Sequence, residues 1–207
     1  MALGRIIRSI PAPATLPFSL TFDGRTLWCH DYDTELTDQI DPETGTVIRS
    51  IHFPQSAITG LTFDGRTLWF SDYETKLLCQ LDPETGKTIR SFTTPGGTTR
   101  GLAFDGRTLW RFDNKDAKLW QIDPETGTHI RSIPAPAAEI CGLTWSGKTL
   151  WCSEPALQII SEVDPETGTV IRWFTVIGTT ARGLAFDGRT LWLCDSIADV
   201  IYQIDMG

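Results

Sequence analysis

The sequence predicts an all-β chain: a five-bladed β-propeller with four antiparallel strands per blade, the N-terminal strand completing the last blade. Three observations carry this. The phrase Asp-Gly-Arg-Thr-Leu-Trp begins at Asp23, Asp64, Asp105 and Asp187, and Ser-Gly-Lys-Thr-Leu-Trp at Ser146 fills the gap, so the step is an unbroken 41 residues. A second phrase, Asp-Pro-Glu-Thr-Gly, keeps that step at Asp41, Asp82, Asp123 and Asp164. Between the phrases lie short segments with apolar residues at alternate positions. Four such strands in a unit of about 40 residues mark a propeller blade.

The second unit shows the elements in order. Thr59-Gly60-Leu61-Thr62-Phe63 alternates as a half-buried strand does. Asp64-Gly65 is a hairpin signal, because glycine accepts the positive φ of a type I′ turn. Thr67 to Ser71 returns, the polar loop Asp72 to Thr75 follows, and Lys76 to Leu81 forms a third strand. In Asp82-Pro83-Glu84-Thr85-Gly86, proline presets the first corner and glycine takes the left-handed position. Thr88 to Phe92 is the fourth strand.

A lone sheet of this kind would expose rows of Leu, Phe and Trp. Stacking the sheets around an axis buries both faces. Trp28, Trp69, Trp110, Trp151 and Trp192 are the expected wedges between neighbours, each ring covering about 150–250 Å². The ends locate the closure. Gly4 to Ile10 matches the fourth-strand segment Gly45 to Ile51, and the chain stops just past a third strand at Tyr202 to Gly207. The first residues therefore supply the missing outer strand, which leaves no bare sheet edge. Residues 1–207 are read as one domain, with units at 4–44, 45–85, 86–126, 127–167 and 168–207.

The formal charge of −8 argues against a nucleic-acid backbone as partner. No apolar run is long enough to span a bilayer, and Met1 to Arg5 lacks a signal-peptide core. The expectation is a cytoplasmic monomer, or a domain cut from a longer protein, with no membrane partner. The five cysteines, Cys29, Cys79, Cys141, Cys152 and Cys194, are odd in number and form no Cys-x-x-Cys pair. They are expected as buried free thiols rather than as disulfides or zinc ligands.

The units resemble bacterial propeller repeats of the NHL and YVTN type. The residues that carry the likeness are Gly101-Leu102-Ala103-Phe104-Asp105, Leu109-Trp110 and Asp123-Pro124-Glu125-Thr126-Gly127. The likeness runs through the whole chain and implies the propeller fold, without implying an activity. NHL-type rings commonly have six or more blades, so a larger two-chain ring stays open beside the self-closed monomer.

The two turn phrases lie at one end of the ring and barely vary. At the other end the copies diverge, in the loop leading into each first strand (11–18, 52–59, 93–100, 134–141 and 175–182) and in the loop between second and third strands. Divergent loops on a uniform frame are where binding is built. Phe18, Thr59, Arg100, Cys141 and Arg182 precede the innermost strands and should ring the channel mouth. Arg100 and Arg182 could grip an anion such as a carboxylate. The preferred reading pairs them within their blades, Arg100 with Asp113 and Arg182 with Asp195, at a common spacing of 13 residues. Asp31, Asp72 and Glu154 would then be free acids.

With Asp33, Glu35 and Glu74 these form an acidic rim, for which solvation is preferred to a metal site, since no Asp-x-Asp-x-Asp-Gly loop is present. No cofactor is expected. His30 and His52 belong to the variable end, and His129 to a surface turn at the other. His30 beside Asp31 or Glu154 could form an acid–base pair. No Gly-x-Ser-x-Gly, His-Glu-x-x-His or phosphate loop appears.

These features favour a non-catalytic scaffold that holds a peptide, a protein or a small polar ligand at the rim and mouth. One alternative is an enzyme resembling the five-bladed plant-type glutaminyl cyclases or the larger lyase propellers, with Glu154, His30, Arg100 and Arg182 as actors. The lack of long insertions weighs against it. The other alternative is an engineered or reconstructed repeat propeller without a dedicated ligand.

Overall fold

The computed structural model describes residues 4–53, 57–176 and 180–207. Twenty strands form five four-stranded antiparallel sheets. The first blade holds β2 (Pro17–Phe22), β3 (Leu27–Asp31), β4 (Leu36–Ile40) and β5 (Val47–His52). The second holds β6 (Ile58–Phe63), β7 (Leu68–Asp72), β8 (Leu77–Leu81) and β9 (Thr88–Thr93). β10 (Thr99–Phe104), β11 (Leu109–Asp113), β12 (Lys118–Ile122) and β13 (His129–Pro134) make the third. β14 (Gly142–Trp145), β15 (Leu150–Glu154), β16 (Ile159–Val163) and β17 (Val170–Thr175) make the fourth. In the fifth, β18 (Ala181–Phe186), β19 (Leu191–Asp195) and β20 (Val200–Asp205) are completed by β1 (Arg5–Pro11). β1 pairs with β20 from Arg5↔Asp205 to Pro11↔Val200, so the two ends of the chain close the ring as expected.

Each blade takes three strands from one 41-residue unit and its outer strand from the next. Trp28, Trp69, Trp110, Trp151 and Trp192 are at most 1% exposed. Trp28 packs with Phe53, Ile58 and Leu61 of the second blade, and Trp151 with Leu184 and Leu193 of the fifth. The wedge role is thus observed.

The uniform end is held by a repeated polar row. Asp64 Oδ2 accepts from the Trp69 indole at 2.8 Å and from Thr67 Oγ1 at 2.6 Å, and Oδ1 accepts the Arg66 and Thr67 backbone N–H groups. Gln80 donates to Thr67 Oγ1 and accepts from Arg90 Nε. Arg90 lies over the Trp69 ring and forks onto Glu125 of the next blade. Arg8, Arg49 and Arg131 likewise reach Glu43, Glu84 and Glu166. Only the glycine of each Asp-Gly turn has positive φ, Gly65 at 95°, so the expected type I′ geometry, which needs two such residues, is not formed.

Along the axis the blades meet at Ser19, Gly60, Gly101, Gly142 and Gly183. A methyl group on Gly142 would strike the Arg182 carbonyl, and one on Gly183 the backbone of Ser19 and Leu20. This ring of small residues narrows the channel to a cavity of about 10 Å³. The mouth therefore has a floor.

Candidate functional site

Four blades shift register just above that floor, between Pro17 and Ser19, Ile58 and Gly60, Arg100 and Leu102, and Ala181 and Leu184. Such bulges re-aim side chains. In the fourth blade β14 starts only at Gly142, and Cys141 is tied to the sheet by its N–H to the Ser153 carbonyl. The five mouth positions are brought together unequally. Arg100 Nη1 and Arg182 Nη1 each lie 3.8 Å from Cys141 Sγ, from the blades on either side. The Arg182 guanidinium stands 4.7 Å from the centre of the Phe18 ring, and that of Arg100 lies 5.6 Å from the Tyr73 ring. Thr59 uses its hydroxyl on the Thr99 carbonyl.

Neither expected Arg–Asp pair forms. The register partner of Asp113 is Thr99, and that of Asp195 is Ala181. Arg100 and Arg182 are each one residue further on, and one residue in a strand reverses the face. Asp113 pairs instead with Arg111, two residues away on its own face, at 2.9 Å. Arg111 is fully buried and also donates to Thr99 Oγ1 and to the Pro95 carbonyl.

The acids at the ends of the second strands are not free, with one exception. Asp31 accepts the N–H groups of Leu16, Asp33 and Thr34. Asp72 accepts the Thr75 N–H and hydroxyl. Asp113 accepts from Gly97 and Lys115, and Asp195 from Thr180, Ile197 and Ala198. Each is a staple, and three of the four tie down the loop leading into their blade. Hydrogen bonds from Lys115 and Gly97, with the Arg111 charge, hold the Asp113 carboxyl below its ordinary range despite burial.

Glu154 is the exception. It is buried, and its carboxylate draws only on the Ala156 N–H nearby. Burial raises its pKa, and the neighbouring Glu139 charge adds to the rise. The leading loop of this blade, through Pro136, Ala137 and Ile140, walls one side of a pocket of about 630 Å³ whose other side holds Cys152, Glu154, Leu157, Ile159, Ser161, Ile171, Arg172 and Trp173 among others. Similar volumes at the uniform end, about 640 and 480 Å³, recur between blades beside the Arg–Gln–Asp rows, whose polar groups are already partnered. The pocket at Glu154 has no such repeat. A hollow with largely apolar walls and a carboxyl of raised pKa is a candidate proton-transfer site.

The signal for this pocket lay in the fourth unit's departures. Trp173 stands where the other outer strands carry Ser9, Ser50, Ser91 and Ser132, Glu162 stands where the other third strands have glutamine, and Glu154 stands where the other second strands end in aspartate.

His30 is fully buried, and burial lowers its pKa to about 4. Its Nδ1 meets Thr37 Oγ1, and the ring stacks on Phe53. It and Glu154 stand in blades that are not neighbours, so they form no acid–base pair. His129 is not bare surface: it stacks on Trp120 at 4.4 Å. All five cysteines are buried and unbridged, and burial drives the Cys79 thiol up to about 12. Among the described residues no three His, Cys, Asp or Glu side chains gather as metal ligands would.

The chain matches the family described as Glutamine cyclotransferase over residues 20–187. Among solved structures it resembles the glutaminyl cyclase of Myxococcus xanthus, with a TM-score of 0.83 and 18% identity, over 97% of this chain and 95% of that one. It is similar to the virginiamycin B lyase of Staphylococcus aureus with a TM-score of 0.56 and 19% identity, over 96% of this chain and 69% of that one. It is also similar to the WD40 propeller domain of Doa1, with a TM-score of 0.61 and 12% identity, over 91% of this chain and 63% of that one. No curated protein matches it by sequence. The NHL and YVTN likeness reached the propeller repeat but not this family. Two expectations are corrected. The family is named for an enzyme, which overturns the non-catalytic scaffold and the leaning against an enzyme. Lack of long insertions is no argument either, since the bacterial cyclase is covered almost end to end. The chain belongs to the glutamine cyclotransferase family.

Proposed function

We propose that this member of the family cyclises amino-terminal glutaminyl residues, and that the reaction takes place in the pocket beside Glu154. The observation that carries the reading is the family match across residues 20–187, which reaches into all five blades. In this reaction the free α-amino nitrogen attacks the side-chain amide carbon. The new C–N bond closes a five-membered lactam, the old C–N bond breaks, and ammonia leaves. One proton must pass from the attacking nitrogen to the departing one. Glu154 is suited to that relay, because a carboxyl with a raised pKa accepts and returns a proton near neutral pH more readily than an ordinary one. Ile140, Ile159 and Leu157 give the pocket apolar walls against which a substrate can pack. The volume lies within the range of about 300–1,000 Å³ usual for small-ligand sites.

The test is ammonia release and lactam formation from a peptide with amino-terminal Gln, with the Glu counterpart as control. Wild-type protein is expected to turn over the Gln peptide, and Glu154→Gln to lower kcat by roughly 10²–10⁴-fold with an unchanged circular dichroism spectrum. No ammonia from wild-type protein would overturn the activity. Full activity in Glu154→Gln would move the reaction out of this pocket.

A further inference from the structure

We propose that the channel mouth binds a carboxylate between Arg100 and Arg182, a site separate from the Glu154 pocket and independent of the cyclase reading. Every other buried or half-buried arginine among the described residues has an oxygen partner of matching charge. Arg8, Arg49, Arg90 and Arg131 fork onto glutamates, Arg172 holds Glu162, and Arg111 holds Asp113. Arg100 and Arg182 are half-buried and have none, in a chain with a formal charge of −8. Their polar contacts are the Cys141 sulfur at 3.8 Å for both and Ser196 Oγ at 3.1 Å for Arg182. Arg100 Nε is buried with no acceptor at all. A thiol is a weak acceptor and a guanidinium presents five donors, so most of this capacity is unspent.

The two groups also converge. They come from the blades on either side of Cys141 and point at the same atom. Each guanidinium lies over an aromatic ring, Arg182 over Phe18 and Arg100 over Tyr73, which helps hold it in place without neutralising it. The small-residue floor prevents passage down the axis, so an occupant would rest on the mouth. The two converging Nη1 groups match the two oxygens of one carboxylate, one each. The negative charge of the rest of the chain disfavours a dianion such as phosphate at the same spot.

Titration of ¹⁵N-labelled protein with sodium acetate, at ionic strength held constant with sodium chloride, reads the site directly through the Arg100 and Arg182 Nε–H resonances. Both are expected to shift saturably with acetate, and phosphate to bind more weakly. Arg100→Gln and Arg182→Gln should each weaken acetate binding by about 10–100-fold, with the indole N–H signals of the five wedge tryptophans unmoved. Shifts no larger than those from chloride, tighter binding of phosphate, or unchanged affinity in either folded variant would overturn the proposal. The wild-type titration decides the matter even if a variant fails to fold. It involves no peptide turnover, so its outcome is separate from that of the cyclase assay.

Discussion

The fourth blade and its four siblings are built on one plan, and they differ at both ends. In the siblings the turn aspartate, as at Asp64, gathers the tryptophan indole, a threonine and a glutamine around one negative charge. In the fourth blade the turn residue is Ser146, and the charge has moved to Glu162 on the third strand, where it takes Thr149 Oγ1 and Arg172 Nε. The Trp151 indole N–H is left without a partner. At the other end, aspartates staple the variable loops in the siblings, whereas Glu154 faces a pocket. A repeated frame holds four blades to one pattern and lets the fourth blade carry the exception.

The largest expected effect tests the wedge itself. Trp69→Ala should cost about 3–5 kcal/mol in urea unfolding, as the loss of a buried indole does. Trp151→Ala should cost about 1 kcal/mol less, because no indole hydrogen bond is lost with it. Equal costs would mean that the Asp–Trp bond contributes nothing and that the blades differ in appearance only.

A double-mutant cycle sharpens the same contrast. Ser146→Asp alone brings a second carboxylate against Glu162, and Glu162→Gln alone strips Arg172 Nε and Thr149 of their charged acceptor. Each single change should cost about 1–2 kcal/mol, and the pair together should restore the siblings' pattern at little net cost. Additive costs in the double variant would break the idea that one charge has simply changed position.

Fold and closure were legible because they rest on short-range chemistry repeated five times. Asp-Gly, Asp-Pro-Glu-Thr-Gly and the tryptophan column each report a local constraint, and Gly4 to Ile10 announces its partner by resembling Gly45 to Ile51. The site was less legible because it depends on register. Arg100 and Asp113 share a 13-residue spacing with Arg182 and Asp195, yet bulges at the mouth set the acids opposite Thr99 and Ala181. Neither a bulge nor the sheet face it selects is written in the spacing. Burial of Asp31, Asp72 and His30 beneath backbone donors and aromatic rings is likewise a property of loops whose paths have no sequence period.

Asp64 and Glu154 are carboxyls whose pKa values move in opposite directions. Burial alone would raise Asp64, but hydrogen bonds from Thr67, Trp69 and Arg66 outweigh it and hold the group below its ordinary value. Its contribution to stability is therefore present above the unfolded pKa of about 3.9 and is lost as pH falls through the lower folded value. Glu154 is raised by burial and by Glu139. Its protonated form suits the fold, so its penalty is absent below the unfolded pKa of about 4.3 and grows as pH rises through the higher folded value. Urea unfolding at pH 3 and pH 7 separates the two. Asp64→Asn should destabilise at pH 7 and cost less at pH 3, while Glu154→Gln should stabilise at pH 7 and be nearly neutral at pH 3. The Glu154 effect is expected to be the smallest in this series, since one N–H from Ala156 partly offsets the burial. If both variants moved in the same direction with pH, Glu154 would be another staple, and the fourth blade would lose its claim to a separate role.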